Sequence, residues 1–364
     1  MGLTERECWF WLASCDWMSV GSAEKLLGYF KSVKNIYYGR NSQYEKIKGL
    51  SKNVQKHLEA REISEDQIKR DIERMHLQNR NFVCRIDEAY PKKLRNLPDS
   101  PIGLFYYGNL PENDKPMIAI VGAREASGYG MEAARYFSRK LAEQGIGIIS
   151  GLARGIDGEA HKGALQGKGE TWGVLGCGLH MCYPKENYHL FEQMKTQGGV
   201  ITEYGYGVKP EPWHFPMRNR LISGLADGIF VIEARERSGS LITVDIGLNQ
   251  GKNIYALPGC FHASLSRGCH QLIQGGAKLV YDPKDILEDF HMEYLQMVER
   301  KEKKLTLDNS EQLVYASLRL GPKDIDTIAM TCGLPLTETI STVIRMEMDG
   351  KLRSLGQNQY MLRL

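Results

Sequence analysis

Residues 117–161 of this chain are MIAIVGAREASGYGMEAARYFSRKLAEQGIGIISGLARGIDGEAH. Two short apolar runs within this stretch, 118–121 and 146–149, each end in a turn of small residues, and a helical pattern follows each turn. This alternation of strands and helices predicts a doubly wound, parallel α/β sheet. Sheets of this kind bind their ligands outside the carboxyl ends of the strands, which is where both turns lie.

The first of these turns, Gly122-Ala123-Arg124, predicts the chemistry of that edge of the sheet. Glycine lets the backbone approach a ligand closely, and the amides at the start of a helix attract anions. Arg124 adds a fixed positive charge to the same turn. We therefore expect an anion-binding face, with phosphate as the leading candidate. In the dinucleotide-binding fingerprint the glycines follow a strand, whereas Gly145-Ile146-Gly147 leads into one. A nicotinamide cofactor is therefore not expected.

The composition of the whole chain excludes several classes of protein. With 364 residues, 42% hydrophobic and 25% charged, two or three globular domains are expected. The net charge of +3 is too small to indicate a nucleic-acid binder by itself, so any basic surface must be local. The eight cysteines form no C-x-x-C pair, which is typical of reduced thiols in a cytoplasmic protein without a metal site. No apolar run reaches the ~18 residues of a membrane span, so no membrane contact is expected.

Four further segments surround a central block at 117–283. We predict a helical domain at 1–80, a connector with short strands at 82–85, 90–91 and 104–108 within 81–116, a charged linker helix at 284–307 and a winged-helix domain at 308–364. The helical domain has glycine turns near Gly21 and Gly49 that resemble those of helix-hairpin-helix and SAM-like modules, which hold a DNA phosphate. Nearby lysines favour that interpretation. Small helical domains need glycine turns in any case, so both interpretations stay open.

Four more clusters of small and polar residues follow predicted strand ends in the central block. They are Leu175-Gly176-Cys177-Gly178 with Tyr183-Pro184-Lys185-Glu186-Asn187-Tyr188, then Phe215-Pro216-Met217-Arg218-Asn219-Arg220, then Glu233-Ala234 with Ser238-Gly239-Ser240-Leu241-Ile242-Thr243, and last Leu257-Pro258-Gly259. Together with the turns at 121–124 and 150–161, they closely resemble the DNA-processing protein A family (DprA, also called Smf). The resemblance is dense over 117–283, and the helical and winged-helix flanks match longer members of the family.

This resemblance implies a single-stranded DNA-binding protein with an extended Rossmann-like core and with no catalytic site, metal or cofactor. It also implies a cytoplasmic homodimer that protects incoming single strands and loads the RecA recombinase during natural transformation. The residues that it implies for nucleic-acid binding are Gly122, Arg124, Ser127, Gly151, Lys185, Asn187, Tyr188, Arg218, Asn219, Arg220, Ser238, Gly239 and Ser240.

The chemistry of these residues suits a single strand. Cationic side chains contact phosphates, and an aromatic ring such as Tyr188 stacks on a base, a contact that stabilises the complex by ~1–3 kcal/mol. Tyr188 follows Lys185 by three residues, so we expect both on one helix face. Two alternatives stay open: Tyr188 packs against the protein, or one of Arg218 and Arg220 is a structural partner of Glu203 or Glu233.

The main rival function is a nucleotide phosphoribohydrolase built on the same core. Those enzymes carry Pro-Gly-Gly-x-Gly-Thr followed by a catalytic glutamate, whereas this chain has Arg-Ser-Gly-Ser at 237–240 and then Val244 and Asp245. Hydrolysis is therefore not expected. Asp157 is predicted to cap a helix, with His161 held by a local hydrogen bond, and the pair is not expected to be catalytic.

The C-terminal segment is acidic where a DNA-binding winged helix would be basic. Residues 284–364 carry 11 basic and 13 acidic side chains, a net charge of −2, and the candidate recognition helix at 337–348 sets Arg345 against Glu338 and Glu347. A phosphate lattice repels such a surface. We expect this domain to contact protein, either a neighbouring subunit or a competence protein.

Overall fold

The computed structural model describes residues 2–60, 63–290, 307–319, 321–356 and 358–362. The described part of 1–80 is helical, with α1 (Glu5–Ser14), α2 (Val20–Phe30), α3 (Val33–Tyr37), α4 (Asn41–Tyr44), α5 (Lys52–Ala60) and α6 (Glu65–Leu77). Aromatic side chains of α1, among them Trp9 and Trp11, are buried in its core. The Glu5 carboxylate accepts hydrogen bonds from the Ser32 hydroxyl and the Val33 amide, both 2.9 Å long, so α1 also caps the start of α3.

The central sheet contains nine strands within the described residues. They are β1 (Asn81–Cys84), β2 (Gly103–Gly108), β3 (Met117–Val121), β4 (Gly147–Ser150), β5 (Thr171–Val174), β6 (Gly198–Thr202), β7 (Gly228–Val231), β8 (Asn253–Ala256) and β9 (Lys278–Leu279). Their order is β1-β2-β6-β5-β4-β3-β7-β8-β9. All pairs in the run β6-β5-β4-β3-β7-β8-β9 are parallel, whereas β2 pairs antiparallel with both β1 and β6. The doubly wound parallel sheet is thus confirmed, with an antiparallel edge.

The segment expected to be a connector, 81–116, supplies that antiparallel edge. The short strand predicted at 90–91 is wrong: these residues form a turn that leads into α7 (Lys92–Arg95). Pro91 has no amide proton for a strand ladder, and it stands at the N-cap of α7. Tyr90 is fully buried, and its hydroxyl donates to the Pro101 carbonyl over 2.8 Å.

Helices cover both faces of the parallel part of the sheet. They are α8 (Gly128–Glu143), α9 (Ile156–Gln166), α10 (Tyr188–Met194), α11 (His214–Leu225), α12 (Gly239–Asn249), α13 (Arg267–Gln274) and α14 (Lys284–Asp289). In β3, Ile118 and Ile120 belong to one apolar core and Ala119 and Val121 to the other. Because successive side chains of a strand point to opposite faces, β3 is buried on both sides, and its sequence is apolar throughout.

The strand order changes direction next to β3. The chain runs from β3 outward to β6 on one side and then returns to place β7 on the other side. The loops that follow β3 and β7 therefore separate at this point, and doubly wound sheets bind ligands in the crevice so formed.

The C-terminal segment contains α15 (Asn309–Leu318), β10 (Lys323–Asp324), α16 (Ile325–Cys332), α17 (Leu336–Met348), β11 (Leu352–Gly356) and β12 (Gln359–Leu362), with the strands in the order β10-β12-β11. These are the three helices and the hairpin that the sequence predicts for this segment, and the winged-helix fold itself stays a prediction. The predicted linker helix at 284–307 begins with α14, and its residues 291–306 lie outside the described part of the chain.

Within the described ranges, no single helix is both long and apolar enough to cross a bilayer. Helices α16 and α17 reach that length and apolar character only together, and the chain bends by 112° between them.

Candidate nucleic-acid interface

A cleft of about 630 Å³ opens at the switch point between β3 and β7. Four segments line it, within 121–125, 153–157, 212–222 and 235–243, of which the last two include the starts of α11 and α12, together with Tyr183 and Leu265. Each of the four follows a strand of the parallel sheet at its carboxyl end. The cleft therefore lies where the turn at 122–124 predicts an anion-binding face.

Backbone contacts hold the cleft loops together. The Ala123 amide donates to the Glu233 carbonyl over 2.8 Å, and the Ile156 amide donates to the Ala123 carbonyl over 3.2 Å. A Cβ on Gly122 would lie 2.6 Å from the Ile156 side chain, so only glycine fits there. Gly155 has a φ of 72°, a conformation that glycine adopts without strain. The loops after β3, β4 and β7 thus form one unit.

Three exposed arginines, Arg124, Arg235 and Arg237, bring positive charge to the cleft, whose lining also includes the carboxylates of Glu125 and Asp157. Among the described residues, none of the three arginines has a carboxylate within 4 Å. The Arg124 guanidinium lies 5.5 Å from the centre of the Phe215 ring, and that ring lies 5.6 Å from the ring of Tyr183. One wall of the cleft therefore combines a cation with two aromatic rings, of which Tyr183 is 46% exposed.

Arg218 lies buried at the base of the cleft. Its Nη1 donates to the carbonyl oxygens of Gly151, over 2.9 Å, and Val174. Burial lowers the pKa of Arg218 to about 10, so the side chain stays positive at neutral pH. The neighbouring Asp157 carboxylate accepts from the Gly151 amide over 3.1 Å. Burial raises the pKa of Asp157, an effect that the positive charge of Arg218 opposes.

The start of α12 forms the opposite side of the cleft. The Ser238 hydroxyl accepts from the Ser240 amide over 3.3 Å and lies 2.8 Å from the Ser240 hydroxyl. Nothing lies within 4 Å of the position that a Cβ would take on Gly239. The hydroxyls and the positive end of the helix dipole suit an anionic group here.

The structure brings about half of the predicted site residues together. Those that line the cleft are Gly122, Arg124, Arg218, Asn219, Ser238, Gly239 and Ser240. Gly151 is linked to the cleft by its hydrogen bonds with Arg218 and Asp157, which both line it. The remaining predicted residues lie elsewhere.

Ser127 and Asn187 support neighbouring loops. Ser127 caps α8, and its amide and hydroxyl both donate to the Glu233 carboxylate, over 2.9 and 2.5 Å. The buried Asn187 amide donates to the carbonyl oxygens of Leu152 and Ala153, over 3.0 and 2.9 Å. Both side chains use their polar atoms within the protein.

Arg220 points away from the cleft. It is buried and pairs with Glu203, and its Nε lies 3.3 Å from an Asp99 carboxylate oxygen. The alternative that one arginine of this helix is a structural partner of Glu203 therefore applies to Arg220. Glu233 pairs with Ser127 and with neither arginine.

Lys185 and Tyr188 form an exposed ledge beside the cleft. Lys185 begins a 3₁₀ turn, Lys185–Asn187, and Tyr188 begins α10. Residues i and i+3 eclipse in such a turn, which keeps the two side chains on one side. The Tyr188 ring, 57% exposed, stacks on Phe191 with 6.2 Å between ring centres. A hydrogen bond with Glu192 raises the pKa of Tyr188.

The structure corrects two details of the Asp157 and His161 predictions. Gly155 is the N-cap of α9, so Asp157 lies inside the helix, and its carboxylate accepts from the Gly151 amide. His161 has no local partner: its Nδ1 lies 2.7 Å from the hydroxyl of Thr171 on β5. Burial lowers the pKa of His161 to about 3, so the ring is neutral at physiological pH.

Among the lining residues that were absent from the predicted site, four are cationic or aromatic: Tyr183, Phe215, Arg235 and Arg237. Arg235 and Arg237 follow the end of β7, at the same edge as the turn after β3. A prediction based on the switch point would have included them, because both strands that flank it feed the same crevice.

Comparison with known proteins places the chain in a family. Residues 62–291 match the family model of DNA recombination-mediator protein A. The DNA processing protein DprA of Streptococcus pneumoniae is 44% identical over 205 residues, which cover 56% of this chain and 72% of that protein. Protein Smf of Escherichia coli is 36% identical over 294 residues, 78% of each chain.

Solved structures agree with this assignment. The crystal structure of the Streptococcus pneumoniae DprA matches with a TM-score of 0.67 and 34% identity, over 79% of this chain and 99% of that one. A Helicobacter pylori DNA processing protein A, described for its single-stranded DNA-binding mode, matches with a TM-score of 0.53 and 27% identity, over 58% and 95%. By its sequence and its fold, the chain belongs to the DNA recombination-mediator protein A family, also named DprA or Smf.

Proposed function

We propose that this protein binds single-stranded DNA across the cleft and the ledge, and that it acts there by binding, without catalysis. The observation that carries the proposal is the set of Arg124, Arg235 and Arg237, which have no carboxylate within 4 Å in the described chain. These cations stand beside the exposed Tyr183 ring and the open start of α12. Phosphates neutralise the cations, and the rings offer faces to bases.

A single strand fits this surface better than a duplex. The rings of Tyr183 and Tyr188 are 46% and 57% exposed, and they can stack only on bases that are free of a partner strand. The Helicobacter pylori relative, which binds single-stranded DNA, supports the same ligand class.

The protein acts, in this proposal, as a cytoplasmic homodimer that protects incoming single strands and loads RecA during natural transformation. The name of the family, a recombination mediator, supports such a role. On α12, Ile242 and Leu248 are 41% and 57% exposed, and they offer an apolar contact for a second copy.

A rival hydrolase function has less support. The Glu233 carboxylate accepts two hydrogen bonds from Ser127, and Asp157 is buried beneath the cleft. Neither is poised to transfer a proton to a nucleotide in the cleft.

A paired assay tests the proposal directly. Binding of a fluorescent thymine oligonucleotide is measured beside hydrolysis of AMP, with the same preparation. We expect salt-dependent oligonucleotide binding and no release of adenine. Hydrolysis without oligonucleotide binding would overturn the proposal in favour of the enzyme. RecA loading is tested separately, as faster RecA assembly on strands that are already coated.

A further inference from the structure

Helix α17 carries an apolar stripe on its exposed side. The stripe consists of Leu336, Ile340, Ile344 and Met348, which follow one another at i, i+4 spacing and so lie along one side of the helix. Leu336, Ile344 and Met348 are 47%, 46% and 84% exposed, and Ile340 is partly exposed. The other side of α17 already packs in the domain core, where Val343 and Met346 are fully buried. The exposed stripe is therefore additional to what the fold of this domain needs.

One carboxylate, that of Glu347, borders this α17 stripe, whereas Glu338, two residues after Leu336, lies on the other side of the helix. In the described part of the chain, neither Glu338 nor Glu347 has a cationic side chain within 4 Å. They accept hydrogen bonds from the Ser310 hydroxyl, over 2.7 Å, and from the Ser354 amide, over 3.1 Å.

The one base of α17, Arg345, is neutralised within the domain. Its guanidinium lies 2.6 Å from the Asp308 carboxylate and 3.5 Å from that of Glu311. The stripe therefore presents apolar side chains beside the negative charge of Glu347. DNA phosphates would be repelled from it.

The domain contacts the core through a different surface. Arg353 of β11 pairs with Glu132 of α8 over 2.6 Å, and its Nη2 donates to the Gly128 carbonyl over 3.3 Å. Because this contact uses the hairpin, the α17 stripe stays open while the domain is attached to the core.

We propose that the α17 stripe docks an amphipathic helix of a partner protein, whose apolar face is bordered by lysine or arginine. Twelve residues separate the ends of the stripe, about 18 Å along the helix, which matches about three turns of a partner helix. Apolar contact supplies the affinity, and the carboxylate of Glu347 selects a basic partner over an acidic one. Met348 adapts to partner side chains of different shape, because its side chain is unbranched and flexible. This inference does not depend on the DNA-binding function.

A pair of designed helical peptides tests the inference on the full-length protein. Both carry leucine at i, i+4 and i+8, bordered by lysine in one peptide and by glutamate in the other, and fluorescence anisotropy reports their binding. We expect the lysine peptide to bind about tenfold more tightly or better. The double variant Ile344→Glu/Met348→Glu should lose about tenfold or more of this affinity. Met330→Glu is the matched control, because Met330 lies on α16 and is 85% exposed.

A charge-reversed variant guards against loss of folding. Glu347→Lys should prefer the glutamate peptide, a reversal that unfolding cannot produce. Equal binding of both peptides by the unmodified protein, or equal losses in Met330→Glu and the double variant, would overturn the inference. So would sedimentation that shows self-association through the stripe, or duplex DNA binding that the double variant abolishes. Single-strand affinity, measured on the same variants, should not change, and this separates the inference from the proposed function.

Discussion

Helix α11 contributes a buried arginine to each of two regions, and their surroundings differ. Arg218, under the cleft, donates to backbone carbonyls and has no carboxylate within 4 Å in the described chain. Arg220, at the junction with the N-terminal helices, is paired with Glu203 and Asp99. The charge of Arg220 is offset by its ion pairs, whereas Arg218 forms no ion pair in the described chain and shares the base of the cleft with Asp157, a carboxyl that its charge influences. Two arginines of one motif thus serve different purposes, and the groups opposite them decide which.

The largest expected effect is a loss of stability when Arg220 is removed. Arg220→Ala leaves Glu203 buried without its partner, so we expect the free energy of unfolding to fall by about 3–5 kcal/mol, measured by urea titration. The double variant Arg220→Ala/Glu203→Ala should recover part of that loss. The salt dependence of oligonucleotide binding should not change. A flatter salt slope would mean that Arg220 contacts DNA.

The cleft side of the comparison is tested by removing its free cations. The triple variant Arg124→Ala/Arg235→Ala/Arg237→Ala should lower single-strand affinity about a hundredfold at about 0.1 M salt, and should reduce the salt slope by about 2. Arg139→Ala is the control, because Arg139 lies on α8 and pairs with Glu143. Weaker binding with the original slope would show that these arginines act on the structure and not on phosphates.

The aromatic rings sharpen the description of the binding surface. Tyr188→Ala should weaken oligonucleotide binding by ~1–3 kcal/mol, whereas Tyr188→Phe should be nearly silent, because stacking needs only the ring face. Tyr183→Ala and Tyr183→Phe repeat the comparison inside the cleft. A loss confined to Tyr183 would place the bases in the cleft alone, and equal losses in alanine and phenylalanine variants would indicate that the hydroxyl matters.

The smallest effect concerns His161 and appears only in acid. Its pKa is lowered to about 3 in the folded protein, against about 6.5 in an unfolded chain. Between these values the unfolded chain binds the extra proton, so stability falls as the pH drops through this window. His161→Gln should lose stability less steeply over this range, as thermal melts at several pH values would measure. Parallel curves for both proteins would contradict the assigned pKa.

The sequence predicted the regular part of the molecule well, for a physical reason. Strands buried on both faces, such as β3, are apolar throughout, and a glycine turn follows directly after β3. The antiparallel edge was missed because β1 and β2 are short and stand among prolines, so nothing local distinguishes a connector from an edge strand. The different surroundings of Arg218 and Arg220 could not be predicted either. It depends on Glu203 and Asp99, which are distant along the chain and adjacent only in the fold.

Because Arg353 and Glu132 join the C-terminal domain to the core, a partner held by that domain needs only weak affinity for the cleft. Glu132 lies in the second turn of α8, the helix that directly follows the loop bearing Arg124. A molecule held by the C-terminal domain is thereby confined to the neighbourhood of the cleft. Its effective concentration there is on the order of millimolar, the range typical of two sites joined by a short link. A partner whose affinity for the cleft is too weak for binding in dilute solution would still be bound there for most of the time.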